Sequence, residues 1–411
     1  MKPTLRKPDS NGEEKRSTAP RLLFVVSEDW YFLSHRLPMA RAAQAMGFEV
    51  GVATHVAEDG AAIRALGFTL FDIGDVRSQR GLRGRLALLR RLIAVTRGFA
   101  PSLVQNVAVE MVAFGTLSAL LCRVPAVVNT ISGMGRAAET PRSLALVSTL
   151  FRLFSRRRGV AFVVQNQDDY ALIRAMALPA RPVEIVEGSG VDIEHFAATP
   201  LPEAGPAPLV VCVARMLISK GIPELVEAAR LLKRQGHIFR LILVGSPDPG
   251  NPGAVLAEDL RQWEAQELVE WWGERDDIAE IWQQATIAVL PSHREGLPKS
   301  LLEAASCGRP IVTTDVPGCR SAVADGENGL LVPVRNAGAL AEALGRLLSD
   351  RDLCRQMGEA GRHRVEQRFS DAQVGRRMGA VYAAALCDGG AALPQIVALG
   401  SDEFDSGSVK L

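Results

Sequence analysis

The sequence predicts an α/β protein of two Rossmann-like, doubly wound parallel-sheet domains facing a cleft. Three observations carry that prediction. Short apolar runs alternate with amphipathic stretches along most of the 411 residues, and such alternation means a parallel sheet covered on both faces. The runs are continuous, as in LLFVV at 22–26, which suits strands buried on both sides. The alternation pauses once, at AATPLPEAGPAP (197–208), and then restarts. A chain of this length accommodates two to three domains.

In the first half the expected order is strand 22–26, helix 37–46, strand 48–53, helix 61–66, strand 68–73, helix 86–96, strand 103–105, helix 112–121 and strand 126–129. The second half repeats the theme. Strands are expected at 209–214, 239–245, 269–272, 286–290 and 310–314, with helices at 223–235, 256–265, 278–284, 301–307 and 338–348. The resulting division is a disordered polar leader (1–20), an N-terminal domain (21–198), a linker (199–208), a C-terminal domain (209–370) and a flexible tail (388–411). In open parallel sheets ligands sit at the carboxyl ends of the strands, near the point where strand order reverses.

Hydrophobic residues at 47% and charged residues at 23% exclude a mostly disordered chain. The six cysteines form no CxxC or Cys/His pair at zinc spacing, so no zinc module is supported and a reduced cytosol fits. The leader lacks an apolar h-region. Val107–Cys122 carries Glu110 and is shorter than the roughly 20 residues a membrane span needs. A formal net charge of +1 points to no polyanionic partner, but charge is unevenly shared. Residues 21–200 hold 20 Arg, no Lys and 15 acidic residues; Arg77–Arg158 alone holds 14 Arg against Glu110 and Glu139. The segment Leu144–Arg158 is amphipathic and ends in Arg156, Arg157 and Arg158. Such segments seat on anionic membranes; the plain alternative is a domain-packing helix with a cationic last turn. Together with the arginines at 77–97, the pattern predicts a peripheral protein on the inner face of the cytoplasmic membrane. No nucleic-acid partner is expected, because the arginines are not interleaved with aromatics.

Two segments carry the chemistry. In PSHREGLPKSLLEAASCG (291–308), a strand ends, a turn follows and a helix begins near Pro298, a residue suited to a first helical turn. The free N–H groups there make a seat for phosphate. Glu295 lies in the turn and Glu303 in the helix, so they can hold different parts of an extended ligand. The plain alternative is that both are acids favouring the helix dipole. In VCVARMLISKG (211–221), Arg215 follows a strand and Lys220 precedes a helix. Two such cations can clamp a diphosphate, the arginine as a planar fork and the lysine as a point charge.

Together these segments resemble the retaining glycosyltransferases of family 4, with the GT-B architecture, over most of residues 21–390. The signature is Glu295-GLPKSLL-Glu303, then EAASCGRPIVTTDVPGCRSAV, then DGENGLLVP (325–333). The resemblance implies a nucleotide-sugar donor in the C-terminal half. Glu295, Arg215 and Lys220 would be the catalytic set: the two cations hold the diphosphate and Glu295 the sugar end. Glu303 would take the ribose, while Gly296 and Leu297 offer backbone N–H groups. Gly245 would let the nucleoside approach, Arg275 within Gly273–Asp277 would line the base, and Lys299 joins the donor set. A C-terminal helix at 371–387 would cross back to the first domain. Configuration would be retained, by front-face attack or by double displacement.

A metal-dependent route usually uses a DxD, and Asp350–Asp352 is the match, at a helix junction that suits a solvated cap. No metal and no other cofactor is expected. Gly133–Ala138 fits GxGxxA, but Pro141 is too close for an uninterrupted helix and no acid follows at the required distance. An acceptor-side loop is the better reading. Family members often carry a histidine after this strand; here Thr130, Ser132 and Gly133 stand there, and His35 and Arg36 in the first loop are further acceptor-side candidates. With DPGNP (248–252), the segment DWYFLSHRLP resembles the subgroup that extends polyprenyl-diphosphate-linked sugars. That implies a UDP-sugar donor, an N-acetylhexosamine, and a lipid-linked saccharide acceptor in bacterial surface glycan synthesis. An epimerase or phosphorylase of the same fold, or a non-catalytic binding protein, is the alternative.

Overall fold

The computed structural model describes residues 19–76, 81–131, 141–176, 183–203, 205, 207–248 and 250–391. Seven parallel strands form the N-terminal sheet: β1 (Arg21–Glu28), β2 (Glu49–His55), β3 (Thr69–Asp72), β4 (Leu103–Val107), β5 (Ala126–Ile131), β6 (Val160–Val164) and β7 (Val183–Ile185). Their order is β3-β2-β1-β4-β5-β6-β7. The continuous apolar run of β1 fills two cores at once: Leu22 and Phe24 face one layer, Leu23 and Val25 the other, as the two-residue strand period dictates.

The helices of this half are α1 (Asp29–His35), α2 (Leu37–Ala45), α3 (Gly60–Ala65), α4 (Leu82–Phe99), α5 (Val109–Leu121), α6 (Pro141–Ser155) and α7 (Gln167–Ala175). The first loop predicted from sequence is therefore helical over Asp29–His35. Asp29 is the physical reason: it is buried, accepts from Trp30 N at 2.8 Å and from Ala57 N at 2.7 Å, and so ties the helix start to the turn after β2. The amphipathic face of α6 also has a packing use, since Phe151 and Phe154 are buried in the domain core.

The C-terminal sheet contains β8 (Leu209–Val213), β9 (Arg240–Val244), β10 (Glu270–Gly273), β11 (Ile287–Leu290), β12 (Ile311–Thr314) and β13 (Gly329–Val332), in the order β10-β9-β8-β11-β12-β13. It is also parallel throughout. Its helices are α8 (Ile222–Arg234), α9 (Ala257–Ala265), α10 (Ile278–Gln284), α11 (Lys299–Ser306), α12 (Pro317–Ala322), α13 (Ala337–Ser349), α14 (Arg351–Arg368) and α15 (Asp371–Gly389). The strand order reverses between β1 and β4 in one sheet and between β8 and β11 in the other.

Two boundaries move from their sequence expectations. Val191 and Phe196, assigned to the N-terminal domain by the 21–198 limit, bury in the C-terminal core, and Val191 bonds to Phe369 and Asp371. The chain therefore crosses between domains just after β7. It returns through α15, whose Val374, Met378 and Tyr382 lie in the N-terminal core. This helix runs two residues past the expected end at 387, and Asp388 accepts from Gly159 N at 2.6 Å. The start of the linker is pinned, for Arg309 donates to the Thr199 carbonyl at 2.7 Å and the Pro200 carbonyl at 3.2 Å. The GxGxxA stretch, the leader through residue 18 and the tail from 392 lie outside the described residues, as do Ser132 and Gly133.

Candidate active site

The strand order sets the site. Along the carboxyl edge of the second sheet, β10, β9, β8 and β11 stand side by side. The segments that follow them carry Arg275, Gly245, Arg215 with Lys220, and Glu295 in that order. An extended ligand laid across this edge meets them in sequence, at the switch point where α/β sheets bind ligands.

Two glycines let the backbone close up there. Gly245 has φ +134°, and a β-carbon on it would lie 2.0 Å from the Ala214 carbonyl oxygen. Gly221 has φ +73° and the same 2.0 Å separation from the Pro291 oxygen. Only glycine meets both demands. Gly221 brings the turn bearing Lys220 against the loop after β11. Ser219 reinforces the approach, accepting from His293 N at 2.8 Å and Ser292 Oγ at 3.1 Å.

At the end of that seam, Lys220 Nζ donates to Glu295 Oε1 at 2.5 Å, with the side chains only 21% and 11% exposed. Glu295 is therefore not a first-turn acid of α11, which has no acidic residue in its first turn and begins after Pro298. Glu303 lies inside α11, its Oε1 3.7 Å from Lys299 Nζ. Burial pushes the Glu303 carboxyl above its ordinary range, opposed by the Lys299 charge. Among the described residues, no acceptor meets the backbone N–H of Gly296 or Leu297.

Arg215 stands apart from this pair, donating to Asp248 at 2.9 Å with its side chain mostly exposed. Arg275 is held by Asp277 through two bonds of 2.8 and 2.5 Å. Asp350, in the DxD, accepts from Leu353 N at 2.9 Å as the cap of α14.

On the N-terminal side, His35 stacks on Tyr31 with ring centroids 4.4 Å apart and the planes 11° from parallel. Burial, with the Arg36 and Lys299 charges, pushes its imidazole down to about 3, so it is neutral at physiological pH. Arg36 is fully buried, bonded to Tyr31 OH at 3.3 Å, and Thr130 is buried and accepts from Gln105 Nε2 at 3.2 Å. Neither presents its polar head to the cleft in this conformation. Trp30, 48% exposed, does offer an aromatic edge beside Tyr31 and His35.

Sequence reasoning missed two contributors. His293 Nε2 lies 2.9 Å from Glu224 Oε1, a second brace between the first turn of α8 and the loop after β11. Asn166 caps α7 and reaches Gly296 across the cleft. Its signal was the Asn-x-x-Asp capping pattern at 166–169.

Comparison with known proteins agrees with this architecture. Residues 21–166 match the family model described as glycosyl transferase 4-like, and residues 196–364 match glycosyl transferases group 1. The chain is 28% identical over 278 residues to the N,N'-diacetylbacillosaminyl-diphospho-undecaprenol alpha-1,3-N-acetylgalactosaminyltransferase of Campylobacter jejuni, covering 64% of this chain and 72% of that one. It is 28% identical over 170 residues to the capsular polysaccharide biosynthesis glycosyltransferase CapM of Staphylococcus aureus, covering 41% and 44%. Its fold is that of HepE from Anabaena, solved in complex with UDP and glucose, with a TM-score of 0.72 at 17% identity over 89% of this chain and 100% of that one. Two matched domains, spanning both parallel sheets and the loop that carries Glu295, place the chain in family 4 of the glycosyltransferases, with the GT-B architecture.

Proposed function

We propose that the chain transfers an N-acetylhexosamine from a UDP-sugar to a polyprenyl-diphosphate-linked saccharide in bacterial surface glycan synthesis, retaining configuration and using no metal. The observation that carries the reading is the Lys220–Glu295 pair at the β8/β11 switch point, beside the unengaged N–H groups of Gly296 and Leu297. The Campylobacter relative, by its name, acts on a lipid-diphosphate-linked sugar, and HepE was solved with UDP. The first favours a lipid-linked acceptor and an N-acetylhexosamine, the second a UDP-bearing donor.

Charge development explains the arrangement. Cleaving the bond from the anomeric carbon to the diphosphate oxygen makes the sugar oxocarbenium-like and leaves negative charge on UDP. Lys220, Arg215 and the loop N–H groups stabilise that leaving charge from fixed positions. Glu295 lies at the sugar end and orients Lys220. The nucleoside lies towards Gly245 and Arg275, and Glu303 takes the ribose hydroxyls. The acceptor oxygen forms its bond on the face the diphosphate leaves, and its proton passes to the departing phosphate oxygen. The neutral His35–Tyr31 stack and Trp30 form the wall facing the acceptor.

A lipid acceptor requires a membrane face. No helix among the described residues is long and apolar enough to cross a membrane. Helices α4, α5 and α6 expose Leu82 (85%), Leu121 (53%) and Leu153 (58%), and Arg83, Arg85, Arg97 and Arg156 are exposed on the same half. Exposed apolar side chains and exposed arginines on one half suit the anionic inner leaflet.

The test is transfer in the presence of chelator, using UDP- and GDP-sugars and a lipid-diphosphate-sugar in detergent, read by product mass. One added N-acetylhexosamine supports the reading; donor turnover without an extended acceptor contradicts it.

A further inference from the structure

The loop that carries Glu295 is also a contact surface between the two domains. Lys299 Nζ donates across the cleft to the Ser34 carbonyl at 2.7 Å. Leu297 packs on Gly188, where a β-carbon would come within 2.7 Å of its Cδ2. Asn166 Nδ2 donates to the Gly296 carbonyl at 3.1 Å. Three contacts thus fall within residues 296–299, and each has its partner in the acceptor-side half or the segment just after β7.

The Asn166 contact is the most constrained. The residue is 2% exposed, and its amide has a fixed direction. Oδ1 accepts from Asp169 N at 2.8 Å, while Nδ2 donates to Asp169 Oδ2 at 3.0 Å as well as to Gly296. Flipping the amide would set oxygen against both the Asp169 carboxylate and the Gly296 carbonyl, so Asp169 aims the N–H at Gly296. A trans peptide is planar, with its C=O and the following N–H pointing in opposite directions. Fixing the Gly296 carbonyl from the N-terminal side therefore turns the Leu297 N–H away from Asn166, leaving it without a partner among the described residues.

We infer that Asn166 is a positioning residue: it couples closure of the domains to the orientation of the Leu297 N–H toward the donor. This rests on the proposed donor reading of the 295–297 loop and adds to it that the acceptor-side domain helps set the loop's orientation. By linkage, whatever favours closure favours donor binding in the competent geometry, and the reverse. Lys299 with Ser34 is the second tie across the same closure.

Asp and Ser cap helices about as well as Asn, so Asn166→Asp and Asn166→Ser keep the cap of α7 while removing the amide donor. Asn166→Ser should keep a melting midpoint within about 2 °C of the parent, whereas Asn166→Asp sets an oxygen against the Asp169 carboxylate and the Gly296 carbonyl and should melt lower; both should lose roughly tenfold in kcat/KM for the nucleotide-sugar. Without any substrate, small-angle scattering should give Asn166→Asp a larger radius of gyration than the parent. Parental donor kinetics and parental dimensions in both variants would overturn the inference, as would an activity loss in Asn166→Ser matched by an equal loss of stability, which would assign Asn166 to capping alone. A parent that neither binds UDP nor transfers sugar would remove the donor reading, while the scattering difference would still report the tie between domains.

Discussion

At the scale of single residues, the account rests on where two charges meet. Lys220 and Glu295 lie 75 positions apart yet bond at 2.5 Å, because Gly221 and Ser219 press one loop onto the other. Glu295→Gln keeps the shape but loses the charge that faces Lys220. Turnover should fall at least about a hundredfold with the melting midpoint near parental; turnover within a few-fold of the parent would remove Glu295 from its role. Lys220→Met should lose similarly in kcat while UDP binding, measured by calorimetry, weakens. Both residues were legible in the sequence because a glutamate pair with seven residues between and a strand-end lysine form a long, specific string. Arg36 and Thr130 were read from the same kind of position, but burial was not legible: one lies beneath Tyr31 and the other beneath Gln105.

At the scale of elements, the strands and helices with continuous apolar runs or clear amphipathic period were legible, and α10 has the expected bounds at 278–284. Among the missed pieces the reasons differ. DWYFLSH is too aromatic to read as a helix, and what makes it one is Asp29 bonding to a turn 28 residues away. The strand Val160–Val164 sits directly after the arginine-rich end of α6, which drew the reading to the charges instead. Two predictions belong here. Gly245→Ala puts a β-carbon 2.0 Å from a backbone oxygen at φ +134°, a conformation essentially restricted to glycine. It should cost at least about 2 kcal/mol in urea unfolding and weaken UDP binding. At the start of α15, burial and the Asp192 charge raise the Asp371 carboxyl to about 6, and its Oδ1 is buried without a partner. The unfolded value is about 3.9. The folded state thus binds the proton more tightly, and stability is lost as pH rises from about 4 to about 6. Asp371→Asn should flatten that slope and raise stability at pH 7 by about 1 kcal/mol after allowance for solvent screening, checked by thermal melts across the range.

At the scale of the whole molecule, two parallel sheets reverse their strand order toward a common cleft, and the loop bearing Glu295 touches both domains. The two-domain plan was legible from the paired alternation around residues 197–208. The position of the first crossing was not, since Val191 and Phe196 read as ordinary apolar residues until their burial assigns them to the second core. The uneven charge predicts a membrane-facing N-terminal domain. Replacing Arg83, Arg85 and Arg156 together with Glu should reduce co-sedimentation with phosphatidylglycerol vesicles at least about tenfold, each residue contributing about 1 kcal/mol near the surface. Unchanged sedimentation would contradict that face.

The most direct test of the central claim is mass analysis of a lipid-diphosphate-sugar acceptor incubated with UDP-N-acetylhexosamine, chelator and either the parent protein or Glu295→Gln. The account predicts one added N-acetylhexosamine with the parent and almost none with the variant. An acceptor of unchanged mass while the donor is consumed, or equal extension by both proteins, would contradict it.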